Sequence, residues 1–93
     1  MEALIERIAE KLQIDRDELI RQSLRAFLLG KLRLLESERQ AKCAKWGVRS
    51  LEEFERLIID NPDKESDMLE DFQEVDYLTY RINEIMNLLK EIQ

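Results

Sequence analysis

The sequence predicts an all-α protein, an elongated helical bundle built on one long helix. Three observations carry that expectation. Charged residues make up 39% of the chain against two glycines and one proline, the balance expected of helices with solvated faces. No stretch alternates apolar and polar residues for more than a few positions, so there is no strand signal. Three stretches open on capping residues, and two of those close on breakers, as helices do.

In chain order, residues 1–12 (MEALIERIAEKL) read as a short amphipathic helix. Met1, Ile5, Ile8 and Leu12 step 4-3-4, and Leu4 widens the stripe. The link Gln13-Ile14 is tight, so the chain must turn sharply into the next helix.

The organising helix spans about 16–46. Asp15 is its expected N-cap, because a carboxylate accepts the free N–H groups of the first turn. Glu18 completes a capping box, and Ile14 with Leu19 has the spacing of a hydrophobic staple. Gly47, followed by apolar Val48, marks the stop. Between these signals Ile20, Leu24, Phe27, Leu28, Leu32, Leu34 and Leu35 share one wide face, and Leu29 lies outside it. Some thirty residues at 1.5 Å each make a rod of about 45 Å. A compact chain of this length has a radius of gyration of about 12 Å. Such a rod overhangs a globule, so its apolar face calls for a second chain or a bend, and Gly30 is the candidate bend.

Ser50 with Glu53 forms a second capping box for a helix at 51–60, which buries Leu51, Phe54, Leu57 and Ile58. Asn61-Pro62-Asp63 ends it. Residues 61–67 read as an acidic surface loop. Asp67 with Glu70 caps a last helix at 68–92, whose seam Val75, Leu78, Ile82, Ile85, Leu89 and Ile92 steps 3-4-3-4-3. Under three heptads, this seam fits packing on the long helix better than a free-standing coiled coil. The whole chain, 1–93, reads as a single helical domain.

Charge is unevenly spread. Arg16 to Arg49 holds nine basic and four acidic residues, whereas Ser50 to Asp76 holds eleven acidic and two basic. The acidic part can lie against the basic helix, or either part can meet a charged partner. Cys43 is the lone cysteine, so no internal disulfide forms. No apolar run approaches the roughly 20 residues of a membrane span, and the N-terminus lacks a signal-peptide pattern. A cytoplasmic protein with no membrane partner is expected.

Chemistry has few carriers. Histidine is absent, Ser50 is a cap, and Cys43 has no activating base. Glu70, Asp71 and Glu74, with Asp67 a turn upstream, form an acidic cluster of the kind that holds Mg²⁺ in all-α nucleotide pyrophosphatases. The second acidic helix such enzymes need would have to use Glu52, Glu53 and Glu55, where Arg56 interrupts the pattern. An acidic helix start favoured by the helix dipole explains the cluster better. No cofactor is expected, and the chain reads as non-enzymatic. Arg21, Arg25 and Arg39, near Leu28, Leu32 and Trp46, form a basic stripe that would attract phosphates. A nucleic-acid interface is therefore the alternative reading, held back by the acidic total.

Residues 1–32, MEALIERIAEKLQIDRDELIRQSLRAFLLGKL, resemble the two helices of ribbon-helix-helix proteins, dimeric DNA-binding domains frequent among prokaryotic antitoxins. Ile5, Ile8, Ala9, Leu12, Asp15, Leu19, Ile20, Leu24 and Phe27 carry the likeness. The rest is similar to small antitoxin-like helical proteins. Gln13 stands where the family's turn usually has glycine, and the chain opens at Met1 on the helix, without the DNA-reading strand. What the resemblance implies is therefore dimerisation, not DNA binding. The resulting expectation is an antitoxin-like interaction module. It would pair as a homodimer through Ile20, Leu24, Phe27, Leu28, Leu32 and Leu35. It would meet a basic toxin through its acidic part, with Trp46, Phe54, Phe72 and Tyr77 as aromatic anchors.

Overall fold

A computed structural model describes residues 1–92. They form four α-helices: α1 (Glu2–Leu12), α2 (Arg16–Lys45), α3 (Leu51–Asp60) and α4 (Glu65–Ile92), with a 3₁₀ turn at Pro62–Lys64. No described residue is in a strand, as the sequence leads one to expect.

The turn between α1 and α2 is made by Gln13, which takes the left-handed conformation at φ 55° and ψ 46°. Its N–H donates to Glu10 O at 3.2 Å, and that of Ile14 donates to Ala9 O at 2.9 Å. This pair of bonds closes a helix by reversing the chain. The chain thus reaches with glutamine the conformation that glycine adopts at lower cost. Asp15 caps α2 as expected, accepting from Asp17 N at 3.1 Å and Glu18 N at 3.3 Å. The capping box does not form. Glu18 reaches forward to Arg21 Nε at 2.8 Å and Gln22 Nε2 at 3.0 Å, because a cation one turn on is the stronger donor.

α2 runs unbroken through Gly30 for 30 residues. It ends as its sequence signals: Gly47 lies at φ 69°, with Val48 N donating to Cys43 O at 3.0 Å and Gly47 N to Ala44 O at 3.1 Å. Ser50 Oγ accepts from Glu53 N at 3.1 Å, while the Glu53 carboxylate takes the N–H of Arg49 at 2.6 Å, one residue earlier than a capping box requires.

The acidic loop expected at 61–67 is absent. Asn61 leaves helical geometry at φ −134° and ψ 64°, in keeping with the proline that follows it, and Pro62 begins the 3₁₀ turn. The turn feeds directly into α4, which starts at Glu65, not at 68, and Asp67 lies within its first turn, not at its cap. Proline's fixed φ suits the first position of a helical turn, so the breaker of one helix starts the next.

α4 returns antiparallel along α2: Lys42 meets Asp71 and Arg39 meets Thr79. The expected seam is the packed one. Val75, Leu78, Ile82 and Ile85 are buried, and Leu89 and Ile92 half-buried. The main core sits at one end, where α3 crosses the α2–α4 pair. Phe54 is fully enclosed there with Cys43, Met68 and Val75, flanked by Trp46, Val48, Leu51, Leu57, Ile58 and Phe72. The Phe54 ring meets Phe72 edge-on at 5.6 Å and a tilted Trp46 at 6.3 Å. The other end is thin, with α1 folded onto the start of α2. The molecule measures 62 × 19 × 18 Å, with a radius of gyration of 19.3 Å. No helix among the described residues is long and apolar enough to cross a membrane.

Candidate interaction surface

The wide apolar face of α2 is divided between two uses. At 100° per residue, Leu28, Leu32 and Leu35 fall in the same row as Arg39 and Cys43, the row that α4 covers. All three leucines are half-buried. Phe27 and Leu34 fall about 100° further round and Leu24 at the edge between, and the three remain 62%, 62% and 52% exposed. The pairing face expected from Ile20 to Leu35 is thus corrected. Leu28, Leu32 and Leu35 belong to the chain's own α2–α4 packing, because α4 is long enough to claim that edge. Ile20, Leu24 and Phe27 stay on the open side, joined by Leu34.

This open side continues onto α1. Ile5 and Ile8 from α1, with Leu19, Ile20, Ser23 and Leu24 from α2, line an apolar groove of about 250 Å³. Leu4 and Leu12 are exposed beside it. Lys31 stands in the middle of the row with its ammonium 5.7 Å from the centre of the Phe27 ring, its stem lying along apolar surface.

The aromatic anchors expected for a partner are mostly unavailable. Phe54 is 0% exposed, and Trp46 and Phe72 are half-buried against it, because α3 needs them to close the core. Tyr77 alone of the four is largely exposed.

The acidic cluster is resolved by Asp71. It is buried, and its carboxylate accepts from Lys45 Nζ at 2.8 Å, Trp46 Nε1 at 2.9 Å and Lys42 Nζ at 3.1 Å. Hydrogen bonds from Lys45, Trp46 and Lys42 hold its pKa far below the usual carboxylate range, against the opposing effect of burial. Lys42 also pairs with Glu74 at 3.1 Å, and its own pKa is raised by Asp71 and Glu74. Two members of the acidic cluster, Asp71 and Glu74, are thus committed to cations. Among the described residues no group of three His, Cys, Asp or Glu is placed to hold a metal. The sequence contained a signal for this role: stepping the α4 seam back from Val75 by four and three lands on Asp71 and Met68, both buried.

Two residues of the basic stripe have partners within the chain. Arg21 pairs with Glu18, Arg39 donates to Thr79 Oγ1 at 3.3 Å, and Arg25 is half-buried. Cys43 is buried and burial pushes its thiol pKa up, which makes it a packing residue.

Against known proteins, the model of the family described as "Uncharacterized protein MJ0235 family" matches residues 1–93. The chain is similar to a curated protein of Methanocaldococcus jannaschii described as "Uncharacterized protein MJ0235". The two are 29% identical over 76 residues, which span 82% of this chain and 93% of the relative. No solved structure matches.

Proposed function

The chain belongs to the MJ0235 family, and from its geometry we propose a non-enzymatic interaction module in which two copies associate through the open side of α1 and α2. The observation that carries this reading is the exposed row Leu24, Phe27 and Leu34, continuous with the α1–α2 groove. Monomeric proteins seldom leave so long an apolar strip uncovered. The strip from Ile20 to Leu34 runs about 20 Å along α2, and exposed Leu4, Ile8 and Leu12 of α1 extend it. Light scattering at several concentrations tests it. The expected result is twice the chain mass, falling to one on Phe27→Glu with Leu34→Glu while helicity is retained. A wild-type chain that stays monomeric at every concentration defeats the proposal.

A second reading rests on charge. Ser50 to Asp76 carries eleven acidic residues, most of them exposed around α3 and the start of α4. This end suits a basic protein, as the resemblance to antitoxins implies, with Tyr77 as the aromatic contact. Co-purification with the product of the adjacent gene, lost in high salt, is the expected result. No affinity for that product at low salt counts against it.

A further inference from the structure

Two residues of the row left open on α2, Phe27 and Leu34, mirror each other about the helix's own midpoint, whereas Leu24 has Ser37 as its counterpart. α2 spans Arg16–Lys45, so its centre lies between Gly30 and Lys31. Phe27 stands three residues before Gly30 and Leu34 three residues after Lys31, so the two are equidistant from that centre. Gly30 has no role inside the chain that would justify a glycine. A Cβ added there meets nothing within 4 Å, its backbone is helical, and glycine weakens a helix.

We propose that the second copy covering this face lies antiparallel, with the two-fold axis passing between Gly30 and Lys31. The proposal rests on the self-association advanced above and specifies its geometry. In that arrangement Phe27 of each copy packs against Leu34 of the other. The Lys31 stem of each copy crosses the partner's Gly30, where the missing side chain leaves it room to carry its ammonium to water. A parallel, in-register pair does the opposite. It stacks Lys31 on its own symmetry mate in the middle of an apolar contact and leaves a void between two glycines.

The charge distribution favours the same choice. Parallel rods set two copies of the acidic segment Ser50–Asp76 side by side. Antiparallel rods place them at opposite ends, each beside the other copy's α1 and early α2, which carry both signs of charge. The interface is isologous, so it closes at two copies and leaves one acidic tip free at each end.

The arrangement is read by a distance between the tips. Glu52 is exposed on α3 and is not a residue of the open row, so Glu52→Cys in a Cys43→Ala background takes a spin label without altering that row. Double electron–electron resonance on the full-length dimer is expected to give a label separation of about 45 Å or more, the length of α2. A separation of about 20 Å, one rod's width, overturns the antiparallel arrangement while leaving self-association intact. Absence of dipolar coupling together with a monomer mass by light scattering overturns the arrangement and the reading beneath it.

Discussion

The indole N–H of Trp46 donates to the buried carboxylate of Asp71 at 2.9 Å, tying the last residue of the α2 helix end to the first third of α4. Lys42 and Lys45 bring their ammonium groups to the same carboxylate. This is where the long hairpin is fastened next to its core. Asp71→Asn keeps the shape but removes the charge and one acceptor. Hydrogen bonds to a charged group contribute about 1.5–3 kcal/mol each when buried, and two of the three donors here are partly exposed lysines. A loss of about 2 kcal/mol in urea unfolding, followed by Trp46 fluorescence, is expected.

The same carboxylate sets a pH dependence. Its folded-state pKa is depressed, chiefly by Lys45, then Trp46 and Lys42. A free aspartate titrates near pH 3.9. The contribution is therefore complete above about pH 5 and is lost as pH falls through 4 toward the depressed value. Glu18, lowered to about 2 by Arg21 and Gln22, acts in the same direction but is screened at the surface. Denaturant midpoints measured from pH 7 to pH 3 should stay level and then fall, and Asp71→Asn should flatten much of that fall.

Phe54 and Tyr77 separate packing from display. Phe54→Ala empties the centre of the core and should cost about 3–5 kcal/mol. Tyr77→Ala removes a ring that is 58% exposed and should change stability by less than about 0.5 kcal/mol. Thermal unfolding of the two variants checks the contrast.

Gln13 holds a left-handed backbone without the freedom of glycine. That conformation costs a side-chain-bearing residue about 1–2 kcal/mol, part of which glycine returns through its freer unfolded chain. Gln13→Gly should raise stability by about 0.5–1 kcal/mol, or several degrees in melting temperature for a domain this size. A lower melting temperature would show that the glutamine side chain contributes something the backbone does not.

Gly30→Ala should act in two opposing directions. Measured at low concentration, the chain gains about 1 kcal/mol from helix propensity, since nothing obstructs the new methyl. Self-association weakens, because the methyl takes the space proposed for the partner's Lys31. Unfolding at micromolar concentration and sedimentation across a dilution series read the two effects separately.

Much of the architecture was legible from local signals. Asp15, Ser50 and Gly47 marked helix ends, because capping is settled by residues within one turn of each other. The α4 seam was legible because its 3-4 spacing requires a single packed face. The start of α4 was not, since Pro62 serves equally as a stop and as a first helical residue.

What the sequence by itself determined is the set of helices and the excess of apolar surface along α2. These follow from periodicity and capping, which act over a few residues. Only the tertiary structure decided how that surface is shared. The same face of α2 supplies Leu28 and Leu32 to α4 and leaves Leu24, Phe27 and Leu34 open, because the choice depends on which side the returning helix approaches. It also decided that Asp71 is a fastening, because a carboxylate's role depends on which cations lie opposite it, and those, Lys45 and Lys42, lie 26 and 29 residues away in the chain.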